Sequence, residues 1–141
     1  MNINIDKLKG DLHLDEGLRN KPYKDTVGKL SIGIGRNLDD VGISNDEAYF
    51  LLENDIKKVI NDLSIYLPWL SEHPENVQRA LANMAFNMGV NGLLTFSTTL
   101  QFVKEGDYET AAANALKSKW AKQVPNRAKR VTELLASGLE S

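Results

Sequence analysis

A chain of 141 residues, 42 % of them apolar, is long enough to bury one core and fits a single compact domain, with room for two lobes. It has no cysteine, which excludes disulfides and thiol chemistry. No apolar run approaches a membrane span, the N-terminus lacks the basic and apolar blocks of a signal peptide, and the net charge of -2 is nearly neutral.

In chain order, Ile5, Leu8 and Leu12 recur at helical spacing, and Gly17 behind them predicts a helix stop. Pro22 ends any helix; Tyr23 to Thr26 then reads as a short strand entering a turn at Val27-Gly28. From Lys29 to Gly35 the pattern alternates, with Leu30, Ile32 and Ile34 on one face and Ser31, Gly33 and Gly35 on the other. The first face is expected to be core. The second is bare, which suits close approach of a ligand or another backbone.

Helices follow. Ser44 and Glu47 form a capping box, and the helix they open carries Ala48, Leu52, Ile56, Val59, Leu63 and Leu67 on one stripe before Pro68 stops it. A second begins near Pro74 and runs to Gly89, which is predicted to form a left-handed C-terminal cap. Shorter ones are expected around Ser97 to Lys104 and from Asp107, a natural N-cap, to Lys117. Pro125 opens the last, and Gly138 lies beyond its end. No internal repeat or low-complexity linker appears.

The chemistry concentrates between Asp15 and Arg36. If the hairpin folds beside the first helix end, an acid of the Asp15-Glu16 pair and Asp25 flank one groove, with the Ser31 hydroxyl facing it. Two carboxylates across a groove are what glycoside hydrolysis needs: one protonates the leaving oxygen, the other activates a water or attacks directly. Ordinary surface acids are the competing reading, and periodicity does not choose between Asp15 and Glu16.

The motifs DEGLRNKPYKDT and G-x-x-SIGIGR resemble the catalytic region of the phage-type lysozymes (endolysins) of the T-even kind. The resemblance continues through GISNDEA, LLENDI, NMAFNMG and KSKWAKQVPNRAKRV. It implies an endo-acting, inverting muramidase that cleaves the β-1,4 bond from N-acetylmuramic acid to N-acetylglucosamine in peptidoglycan. Glu16 matches the family's acid, Asp25 its second carboxylate, and Ser31 a position usually held by threonine. Asn37, Phe86, Thr99 and Asn114 fall at positions that line the substrate groove. Arg127 matches an arginine that lies against the acid, and Arg36 is expected to pair with Asp55. The family also implies a functional dependence on a holin that opens the membrane, without direct binding.

Other features carry less. From Lys117 to Arg130 there are six basic residues and no acidic one, which reads either as attraction to the anionic cell wall or as a solvated helix face. A nucleic-acid reading has no supporting motif. Trp69 and Trp120 read as core, and His13 and His73 lack metal-ligand spacing, so neither metal nor cofactor is expected.

Together these features predict an α+β, mostly helical, lysozyme-like fold in one domain covering 1-141. A small β lobe is expected at about 14-45, a bridging helix at about 45-67, and a helical lobe at about 68-141 that also takes the N-terminal helix, with the glycan in a cleft between the lobes. A monomer is expected, made in the host cytoplasm and acting in the periplasm or cell wall once the membrane is permeabilised. The alternatives are a lytic transglycosylase, for which Asp25 would have no task, and a non-catalytic glycan-binding or tail module, which both retained carboxylates oppose.

Overall fold

The computed structural model describes residues 1–140, with 139 and 140 described by backbone alone. The class is α+β: helices dominate, and the strands form one three-stranded antiparallel sheet. The chain divides into two compact units, Met1–Phe50 and Leu51–Ser141. No helix among the described residues is long and apolar enough to cross a membrane.

In the first unit, α1 (Ile5–Glu16) starts at Asn4, whose side chain accepts from the Lys7 amide at 3.0 Å. It stops at Gly17, which takes φ 74° and donates its N–H to the His13 carbonyl at 2.9 Å. The stop is the expected one. Strand β1 (Arg19–Lys24) begins four residues earlier than expected and ends two earlier. Pro22 fits within it because β1 is an edge strand, and the register against β2 is irregular between Arg19 and Tyr23.

Strand β2 (Leu30–Gly33) pairs with β1 and with β3 (Arg36–Asn37), so it is central. Here the expectation of one strand to Gly35 is corrected. Gly33 and Gly35 adopt φ of 71° and 72°, and Ile34-Gly35 form the turn into β3. The assignment of faces is corrected too: Ser31 is buried while Leu30 and Ile34 are exposed. Alternation identifies residues that share a face, but what covers each face is decided by tertiary packing.

The capping box at α2 (Asn45–Tyr66) forms in both directions: the Glu47 amide donates to Ser44 Oγ at 3.1 Å, and the Ser44 amide donates to Glu47 Oε1 at 2.9 Å. Of the predicted stripe, only Leu63 and Leu67 are fully buried. Leu52, Ile56 and Val59 instead line an apolar groove of about 820 Å³ in the second unit, together with Ile60 and Phe86.

That unit holds the main core. After a 3₁₀ turn at Pro68–Glu72, α3 (Glu75–Leu94) buries Val77, Leu81 and Met84 completely. Each such side chain contributes about 1.5–3 kcal/mol relative to exposure. Gly89 does take positive φ, 81°, but as a kink within α3 and not as its end, because the helix resumes at once. Around α3 lie α4 (Ser97–Lys104), α5 (Tyr108–Ala115), α6 (Lys119–Gln123) and α7 (Pro125–Ala136). Asp107 caps α5 and Pro125 opens α7, both as expected. A final 3₁₀ turn, Ser137–Glu140, places Gly138 so tightly that a Cβ there would lie 2.5 Å from the Tyr108 ring and 2.6 Å from Val77 Cγ2.

Candidate active site

Glu16, Asp25 and Ser31 all belong to the first unit, around β2. Glu16 is the last residue of α1, and its exposed side chain lies over Gly35 in the turn that follows β2. Asp25 lies in the turn that precedes β2. Its Oδ1 accepts from the Lys29 amide at 2.8 Å and from the Val27 amide at 3.0 Å. The backbone closes the same turn, with Asp25 N–H donating to the Lys29 carbonyl at 2.8 Å and Gly28 N–H to the Asp25 carbonyl at 3.1 Å. Oδ1 is therefore held, while Oδ2 has no protein partner among the described residues. A carboxylate fixed by one oxygen and free at the other can orient a water.

Ser31 sits mid-sheet, opposite Tyr23 on one side and Asn37 on the other, and is only 2 % exposed. Its hydroxyl makes no hydrogen bond to protein among the described residues, so donor and acceptor capacity both remain for a bound molecule.

Asn37 is committed to structure. Its Oδ1 accepts from the Asp40 amide and its Nδ2 donates to Asp40 Oδ2, both at 3.0 Å, closing the turn after β3. Arg36 has a different partner from the expected one. Its Nη1 and Nη2 each lie 2.7 Å from an oxygen of Glu47, and Nη1 also donates to the Gly42 carbonyl at 3.2 Å. Asp55, about two turns further along α2, is exposed. Glu47 is the earlier acid, and it is already held beside the loop by its capping role. The hydrogen bond from Arg36, then that from the Ser44 backbone, lowers the Glu47 carboxyl to about 2.

In the second unit, buried Thr99 donates to Asn114 Oδ1 at 2.5 Å, joining α4 to α5. The half-buried amide inside the apolar run thus has a partner for its oxygen. Phe86 is 42 % exposed on α3, more than a core residue would be, and lines the apolar groove. Arg127, at the start of α7, lines that groove as well. It donates through Nε to Asn83 Oδ1 at 2.9 Å and through Nη2 to the Asn83 carbonyl at 3.4 Å. The basic run starts at Lys117, just before α6, and continues through α6 and the first part of α7, and none of its six cations forms an ion pair among the described residues.

Three residues around the site escaped sequence reasoning. Glu47 was legible as a cap and not as the partner of Arg36. Asp39 accepts the Leu30 amide at 2.7 Å, protecting the start of β2, and no local pattern marks that contact. Gly35 read as part of a bare face, whereas the group against it is Glu16.

The family model described as phage lysozyme matches residues 14–137. "Probable T4-type lysozyme 2" of Dictyostelium discoideum is 30 % identical over 163 residues, covering 95 % of this chain and 96 % of that protein. The "Pre-baseplate central spike protein Gp5" of Enterobacteria phage T4 is 34 % identical over 92 % of this chain, which spans only 28 % of the spike protein. A "SAR-endolysin" of Bacteriophage PS119 is 32 % identical over 68 % of this chain and 58 % of its own length. Since the matched region takes in every candidate residue in both units, the chain belongs to the phage lysozyme family.

Proposed function

We propose that this chain is a peptidoglycan hydrolase that cleaves the β-1,4 bond between N-acetylmuramic acid and N-acetylglucosamine with inversion at the anomeric carbon. The single observation that carries the proposal is that Glu16 lies against the turn after β2 and Asp25 in the turn before it, turns on either side of Ser31 in the sequence, with one Asp25 oxygen held by backbone and the other free. Family membership supports the reaction class, a glycoside hydrolase, and the residues support the division of roles.

Glu16 donates a proton to the glycosidic oxygen as the bond breaks. Asp25 accepts a proton from the attacking water through its free oxygen, and Ser31 directs a lone pair of that water at the anomeric carbon. In the second unit Asn114, its Oδ1 held by the buried Thr99 hydroxyl, offers its amide nitrogen for glycan contact, and Phe86 offers an apolar surface. The unpaired cations of α6 and α7 attract the anionic wall. Access to the wall depends on a separate membrane-opening partner.

The test is product analysis. Soluble peptidoglycan oligomers digested in an NMR tube should first show α-anomeric reducing ends, because a β bond is inverted. First-formed β anomers would indicate a covalent glycosyl intermediate, and anhydromuropeptides by mass analysis would indicate a transglycosylase that uses no water.

A further inference from the structure

We infer that Gly35 is a positioning residue for Glu16, its missing side chain forming the seat on which that carboxyl rests; the functional part of the inference rests on the catalytic reading of Glu16 given above. An ideal Cβ at position 35 would lie 2.9 Å from Glu16 Oε2, 3.0 Å from Cδ and 3.2 Å from Cγ. Separations that short are repulsive, so any larger residue there must push the carboxyl away. The contact runs along the end of the Glu16 side chain and includes one of the two oxygens that carry the chemistry.

Glu16 has no other restraint of its own. It is exposed, at the last position of α1, and its side chain forms no hydrogen bond or ion pair among the described residues. A glutamate in such a place loses substantial rotamer entropy when ordered, and an acid catalyst works only from rotamers that reach the leaving oxygen. The turn backbone at Gly35 removes part of that freedom.

Conformation alone would explain glycine here, since φ is 72°. Gly33 separates the two reasons. It lies in the same hairpin with φ 71°, yet nothing stands within 4 Å of a Cβ built on it. Alanine at 33 therefore meets the backbone penalty alone, and alanine at 35 meets the same penalty together with Glu16.

The experiment compares urea unfolding of Gly33→Ala, Gly35→Ala, Glu16→Ala and the Gly35→Ala/Glu16→Ala double variant of the full chain. Gly35→Ala should have a lower unfolding midpoint than Gly33→Ala, and the excess should disappear in the Glu16→Ala background. An equal effect of Gly35→Ala in both backgrounds would overturn the inference. If Gly35→Ala fails to fold, the double variant must fold, and its failure would overturn the inference as well. Steady-state kinetics on a soluble oligomer should show kcat for Gly35→Ala reduced at least tenfold with KM within twofold, a split that a merely structural loss would not give. A wild-type kcat in the folded variant would contradict the positioning role. The unfolding comparison needs no turnover, so a failed catalytic reading of Glu16 would leave the seat intact and be recognised separately.

Discussion

Arg36 holds Glu47 by two nitrogens at 2.7 Å, and that same carboxylate accepts the Ser44 amide at the start of α2. One acid thus ties the end of the sheet to the cap of a 22-residue helix.

A pH dependence follows. The Glu47 carboxyl lies near 2 in the folded protein, below its ordinary value of 4.5, so the folded state binds its proton less readily. The stabilisation is therefore complete above the unfolded value and is lost as pH falls from about 4.5 through about 2. Thermal melts of wild type and Glu47→Gln should differ at pH 6 and converge towards pH 2. A gap independent of pH would contradict the ion pair.

Asp25 has two tasks that substitution can separate. Asparagine retains an Oδ1 acceptor for the Val27 and Lys29 amides, so Asp25→Asn should melt near wild type while hydrolysis falls at least a hundredfold. Alanine removes that acceptor and with it both hydrogen bonds, and should cost about a further 1–2 kcal/mol, the net value of one or two modest hydrogen bonds. Urea unfolding beside a lysis assay on permeabilised cells checks both.

For Ser31, removal of the hydroxyl is expected to slow hydrolysis at least tenfold with little loss of stability, because alanine leaves no polar group unpaired. Threonine keeps the hydroxyl and restricts χ1, so Ser31→Thr should preserve or modestly raise the rate. Kinetics and melts of the three proteins decide it, and a wild-type rate in Ser31→Ala would reduce Ser31 to a space-making residue.

Gly138 is predicted to be intolerant of any side chain. A Cβ at 2.5–2.6 Å from Tyr108 and Val77 must displace two buried groups, so Gly138→Ala should destabilise by about 1–3 kcal/mol, read as a lowered Tm with activity retained in the folded fraction.

The parts of this fold legible in the sequence were those written locally. Gly17 as a stop, the Ser44–Glu47 capping box, Asp107 as an N-cap and Pro125 at a first helical position each act on neighbours within one turn, and each forms as expected. The five-residue α6 is too short to show a period. The family resemblance pairs Arg36 with Asp55, but pairing across a loop depends on loop geometry, and the chain from Leu38 to Ser44 brings Glu47 to Arg36 instead. The faces of β2 were inverted for a similar reason: Ser31 is buried by what packs on the sheet, which alternation does not encode. Glu16, Asp25 and Ser31 were singled out by a resemblance of motifs, and the structure adds what holds them, a turn for Asp25 and a glycine for Glu16.

The central claim is that Glu16, and not its neighbour Asp15, is the acid. Glu16→Gln and Asp15→Asn, both confirmed as folded by circular dichroism, should be assayed on purified peptidoglycan under the same conditions. Turnover should be lost in Glu16→Gln and persist in Asp15→Asn. Near-normal hydrolysis by folded Glu16→Gln would contradict the mechanism altogether.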